Sequence, residues 1–141
     1  MFVIKNTGFD KAKQQGQWFE REMWGATIAL KVRPRTDNVV TRIRDRFKGM
    51  KDGVKKETAI FEAVQDYLLE DFGTINPETK EIEPIFEEGP DGVVKEIEKN
   101  YEGKKKILFM PVPTGWDTNH IFVTNKANGL AFEVREAEIK N

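Results

Sequence analysis

From Trp18 onward, apolar and polar positions alternate every second residue. Trp18, Glu20, Glu22 and Trp24 fall on one side, with Phe19, Arg21 and Met23 on the other. Gly25-Ala26 suits a turn, after which Ile28, Leu30 and Val32 share one side until Pro34 closes the run. A period of two is the mark of a half-buried strand, so 17–33 is predicted to be a β-hairpin with one buried face. The first sixteen residues, punctuated by Gly8 and Gly16, show no period and read as a loose lead-in.

The period then changes. Thr36-Asp37-Asn38 are good N-cap residues, and Val39, Val40, Ile43, Phe47 and Met50 follow at spacings of three and four, which predicts an amphipathic helix. A second helix is expected from Lys56–Thr58, with Ile60, Phe61, Val64, Tyr67 and Leu68 on its apolar face and Gly73 as its stop. Glu62, Asp66, Glu70 and Asp71 would make its outer face acidic. From 73 to 92, three prolines and the turn Gly89-Pro90-Asp91-Gly92 predict an irregular connection. Val93, Val94, Ile97 and Tyr101 then suggest a short third helix ending at Gly103. Ile107-Leu108-Phe109-Met110 reads as a buried strand stopped by Pro111 and Pro113. His120–Thr124 and Leu130–Arg135 read as strands around an Asn128-Gly129 turn, although Ala131–Lys140 equally suits a helix. The expected class is α+β: an N-terminal hairpin packed on an αα-hairpin and a short third helix, with additional C-terminal strands. One domain over 1–141 is expected, with the hairpin and helices in 17–102 and a strand-rich 103–141.

Charge changes this picture more than composition does. The chain has 141 residues, 38% of them hydrophobic, and its 23 bases and 24 acids give a net charge of −1. That balance conceals a basic block over 33–56, nine bases against three acids, followed by 57–102 with three bases against fourteen acids. A block of +6 beside one of −11 argues for contacts between opposite charges, within the chain or with a protein partner. With no cysteine and a single histidine, disulfides, thiolate chemistry and Cys-bearing zinc sites are excluded. No apolar run approaches the ~20 residues that span a bilayer, and the N-terminus does not read as a signal peptide. A cytoplasmic protein away from the membrane is the expectation.

Candidate chemistry is sparse. Asp71-Phe72-Gly73 copies the magnesium-binding triplet of protein kinases, but no Gly-rich phosphate loop or His-Arg-Asp loop accompanies it, and a helix end with a glycine cap explains it. No phosphate loop, nucleophile elbow or His-Glu-x-x-His is present. The acids Glu81, Glu83, Glu87 and Glu88 lack the spacing of a calcium loop. Asp117 and His120 would suit a general base oriented by a carboxylate, the weakest of three functional readings. The second is nucleic-acid binding through Arg35, Arg42, Arg44 and Arg46 in the basic segment 33–56, because guanidinium groups favour phosphates. The first is protein association, with Trp18, Trp24, Arg33, Arg35, Arg42 and Arg46 as contact residues, since tryptophan and arginine anchor interfaces. No catalytic residue, cofactor or metal ligand is assigned, and a homo-oligomer is compatible with the charge blocks.

The order of features over 18–85 resembles the small tail assembly chaperones and tail accessory proteins of long-tailed bacteriophages. Trp18-Phe19-Glu20 leads into a hairpin ending Leu30-Lys31-Val32-Arg33-Pro34-Arg35-Thr36. A helix follows, then an acidic helix ending Tyr67-Leu68-Leu69-Glu70-Asp71-Phe72-Gly73, then Asn76-Pro77-Glu78-Thr79. The resemblance covers about half the chain, and 103–141 has no counterpart in it. It implies a non-enzymatic phage or prophage protein of the bacterial host cytoplasm. Such a protein would bind the tape measure protein or tail tube subunits while the tail assembles.

Overall fold

Trp24 and Gly25 reverse the chain between β1 (Gln17–Met23) and β2 (Ala26–Val32). Both turn residues have positive φ, 55° and 77°, the two-residue loop whose twist matches the right-handed twist of the flanking strands. The turn thus lies one residue earlier than expected, and Ala26 is already paired with Met23. The structure, a computed structural model, describes residues 16–112 and 118–140. Phe19 pairs with Leu30 and Arg21 with Ile28 on the inner face of the hairpin, while Trp18 pairs with Lys31 on the outer face. The predicted one-sided hairpin is present, and Met23, Leu30 and Val32 are buried in the core.

Thr36 caps α1 (Asp37–Asp45), its hydroxyl accepting from the Val39 N–H at 3.3 Å. Val39 and Ile43 face inward, four residues apart, as the spacing requires. After turns over 46–49, α2 (Val54–Leu68) buries Ile60, Val64 and Leu68.

The first correction concerns its end. The acidic helix stops at Leu68, and the chain passes directly into β3 (Leu69–Ile75). Asp71-Phe72-Gly73 is therefore mid-strand, not a helix terminus. Strand β2 needs a second neighbour, and β3 supplies it antiparallel, with Leu30 opposite Phe72 and Ala29 opposite Gly73. Leu69 and Phe72 are fully buried, and burying a side chain of that size contributes roughly 1.5–3 kcal/mol, more than local helix propensity can oppose. Gly73 is required for another reason. A β-carbon there would lie 2.4 Å from Ile82 Cγ2 and 2.8 Å from the Glu83 carbonyl oxygen, because the short β4 (Ile82–Glu83) closes the sheet at Thr74 and Ile75 in the order β1-β2-β3-β4.

Three further expectations are overturned downstream. The third helix expected over Val93–Gly103 is instead the second arm of a hairpin, β5 (Phe86–Glu88) against β6 (Val94–Glu96). Its turn is the predicted Gly89-Pro90-Asp91-Gly92, closed by Gly89 N–H on the Val93 carbonyl at 2.9 Å. The expected strand at Ile107–Met110 is largely the last turn of α3 (Tyr101–Phe109), which Asn100 caps by accepting from Gly103 N–H at 2.8 Å. The two expected C-terminal strands are one helix, α4 (Asn119–Lys140), running straight through Asn128-Gly129. The reason is legible in the residues: Val123, Ala127, Leu130 and Val134 recur at four, three and four, and all are buried. The class α+β stands, with a four-stranded antiparallel sheet and four helices among the described residues, but the described part of 103–141 holds helices in place of the expected strands. One buried cluster draws on β1, β2, β3 and all four helices, from Met23 to Leu130.

Candidate functional site

The basic segment meets the acidic one inside the chain. Arg33, just past β2, donates from Nε to Glu70 Oε1 at 3.1 Å and from Nη1 to the Tyr67 carbonyl at 2.9 Å, its guanidinium 4.9 Å from the Tyr67 ring centroid. Lys31 holds the other oxygen of Glu70 at 2.7 Å. Burial works to raise the Glu70 pKa, but the Lys31 hydrogen bond and the two nearby cations outweigh it and hold the carboxyl below its ordinary value of 4.5. On α1, Arg44 donates to both carboxylate oxygens of Glu57 at 3.1 and 3.4 Å, in the open. Arg33 and Arg44 are thereby neutralised by the neighbouring acidic block.

The remaining three arginines of the basic segment are not neutralised among the described residues. Arg42 and Arg46 are exposed and four residues apart, one at the end of α1 and one just beyond it, and neither has a side-chain partner among the described residues. Arg35 is half-buried; its backbone N–H donates to the Ala127 carbonyl at 3.1 Å, fixing the start of α1 against α4. Its guanidinium also lacks a partner among the described residues and lines an open groove of about 530 Å³ with Asp37, Phe132 and Arg135. Trp18 lies on the outer face of β1 with the Lys31 ammonium 6.0 Å from its ring centroid. Trp24 stands at the hairpin tip, 65% exposed. The six residues expected to make contacts are therefore not one patch. Trp24 and Arg35 sit at opposite ends of the seven-residue β2, about 20 Å apart at ~3.3 Å per residue.

The Asp117–His120 pair falls partly outside the described residues, since Asp117 is not among them. His120 itself is half-buried beside two aromatic rings, 4.9 Å from the Phe109 centroid and 6.0 Å edge-on from Phe61, with the Thr118 hydroxyl hydrogen-bonded to Nδ1. These contacts pack α2, α3 and α4 together. Asp71, the aspartate of the kinase-like triplet, is paired with the Lys99 ammonium, which also donates to the Phe72 carbonyl and lies 4.6 Å from the Phe72 ring centroid. Among the described residues, no three histidine, aspartate or glutamate side chains are gathered so as to hold a metal ion.

Two polar junctions were not anticipated from the residues. Tyr101 donates to Glu62 at 2.6 Å and Lys105 approaches the same carboxylate at 3.2 Å, joining α3 to α2. The Tyr101 hydrogen bond, followed by that of Lys105, keeps Glu62 below the ordinary range, and the same bond pushes the phenol up to about 12. The second is Gln65, 3% exposed, whose Nε2 donates to Thr124 Oγ1 at 2.9 Å, bridging α2 and α4, while Oε1 has no partner among the described residues. The run Lys104-Lys105-Lys106, coming straight after the acidic block, was the signal for the first; nothing local marks the second.

No family model, curated protein or solved structure matches the chain. Among the described residues, no helix is long and apolar enough to cross a membrane. The fold and surface define an α+β protein whose basic segment is only partly neutralised by its own acidic segment.

Proposed function

We propose that the chain is a non-enzymatic protein-association protein whose contact surface is centred on Arg42 and Arg46. The observation that supports this reading is selective neutralisation: Glu57 and Glu70 take Arg44 and Arg33, leaving two guanidinium groups one turn apart and exposed. An acidic amphipathic helix suits such a surface, because an arginine pair offers forked donors to carboxylates at the same spacing. In its specific form the proposal is tail assembly in a phage or prophage, with the tape measure protein or tail tube subunits as partner. That form is supported by the residue order over 18–85, of which the hairpin and the following helix keep their places while Asp71-Phe72-Gly73 becomes a strand.

The test is co-expression with the tape measure protein of the same genome. The wild-type chain is expected to keep it in the soluble fraction and co-elute with it, and R42E/R46E is expected to lose both effects. A wild-type chain that leaves the tape measure protein insoluble overturns the tail reading. Duplex binding with a steep salt slope, abolished by the same double variant, would replace protein association with the nucleic-acid reading.

A further inference from the structure

The hairpin tip and the groove beside Arg35 are chemical complements that lie beyond opposite ends of β2. At the tip, Trp24 is a bulky residue at φ 55° and is 65% exposed. Glu20 and Glu22 on the adjoining strand are exposed and have no side-chain partner among the described residues. The tip therefore presents one indole and two unpaired carboxylates.

The groove presents the converse. It lies between the start of α1 and the middle of α4, about 530 Å³ in volume, with Ala131, Phe132 and Val134 as its apolar side and Arg35 and Arg135 as its cations. Phe132 is 63% exposed, and neither arginine has a side-chain partner among the described residues. Among the described residues, Asp37 is the carboxylate lining it. A groove lined by an exposed ring and two guanidinium groups suits an indole, since aromatic rings pair with one another and tryptophan is the preferred ring for a cation. The second guanidinium is left to meet a carboxylate.

From these complements we infer that the chain associates head to tail with further copies of itself, the Trp24 tip of one copy seated in the Arg35–Phe132–Arg135 groove of the next. The occupant is a second copy because the same chain carries both halves and cannot join them itself. Strand β2 starts at the tip and ends at Val32, three residues before Arg35, which holds the two surfaces about 20 Å apart. A contact between two different surfaces leaves one of each free on every dimer, so growth continues to a ring or a filament. This contact does not use Arg42 or Arg46, so it stands or falls separately from the partner surface proposed above.

The experiment is light scattering on the full chain over a concentration series. Wild type is expected to rise from 16.3 kDa beyond a dimer as concentration increases, and to fall back as added salt screens the charged contacts. W24A and R35E/R135E are each expected to remain monomeric at concentrations where wild type associates. Trp24 is exposed and makes no core contact, so W24A tests the contact without unfolding the chain. The decisive sample is a mixture of the two variants. W24A keeps its groove and R35E/R135E keeps its tip, so together they are expected to form a capped dimer of about twice the monomer mass and nothing larger. A wild type that stays monomeric at the highest soluble concentration overturns the inference. So does a mixture that stays monomeric, because one variant then supplies an intact groove and the other an intact tip without their joining, and so does an R35E/R135E that associates like wild type, the mark of a symmetric tip-to-tip contact.

Discussion

Two glycines, each inside a helix, are expected to respond to the same substitution with opposite signs. Alanine is favoured over glycine in a helix interior by about 0.8–1 kcal/mol, so propensity alone makes both changes stabilising. At Gly129, in the middle of α4, a new β-carbon meets nothing within 4 Å, and G129A should raise stability by about 0.8–1 kcal/mol. At Gly103, in the first turn of α3, the same atom would lie 1.7 Å from the Glu98 carbonyl oxygen and 3.2 Å from Ile97 Cγ2. The obstacle is backbone, so it cannot rotate away. Opening that gap to a normal contact moves the start of α3 by more than 1 Å, which strains the packing by about 1–3 kcal/mol. The same shift pulls Gly103 N–H off the Asn100 cap, a loss of about 1 kcal/mol. Set against the propensity gain, G103A should destabilise by about 1–3 kcal/mol. Urea titrations followed by tryptophan fluorescence measure both variants. In a thermal scan each kcal/mol corresponds to about 2–4 °C for a chain of this size. A G103A as stable as wild type would refute the packing argument at the start of α3. A destabilised G129A would restore a turn at Asn128-Gly129 and split α4 into the two strands that the local pattern suggested.

Two other expectations follow from the polar contacts. In T124A the Gln65 Nε2 joins the already unpartnered Oε1 as a buried orphan, which should cost about 1–3 kcal/mol. Q65L/T124V, which removes both polar groups, should recover most of that loss, and a double-mutant cycle that came out additive would contradict the pairing. Glu70 should contribute to acid sensitivity. Its folded pKa is lowered by Lys31 and Arg33, so its contribution is present above the ordinary value of 4.5 and is lost as pH falls through the lowered one. Urea midpoints between neutral pH and about 3 should therefore drop less steeply in E70Q than in wild type. Equal slopes would remove Glu70 as a source of the acid dependence.

The periodicity of residues 17–68 determined most of the local structure there. Alternation from Trp18 to Val32 specifies a one-sided hairpin, and the caps and spacing after Thr36 specify α1 and most of α2, because these signals lie within a few residues of the elements they control. The charge blocks likewise pointed to contacts between opposite charges, within the chain or with a partner, but not to which arginines of the block would be paired; the structure pairs Arg33 and Arg44. The 4-3-4 recurrence of Val123, Ala127, Leu130 and Val134 was also readable, but an Asn-Gly pair drew attention to a turn that the packed helix does not make. Only the tertiary structure decided the fate of Leu69–Ile75. That segment carries acids, a glycine and large apolar residues that suit a helix end, yet β2 lacked a neighbour, and the buried pairing of Phe72 with Leu30 outweighs local preference. The same is true of the separation between Trp24 and Arg35. They lie eleven residues apart in the chain, and β2 runs between them, so the pairing of that strand with β1 and β3 holds the hairpin tip away from the groove.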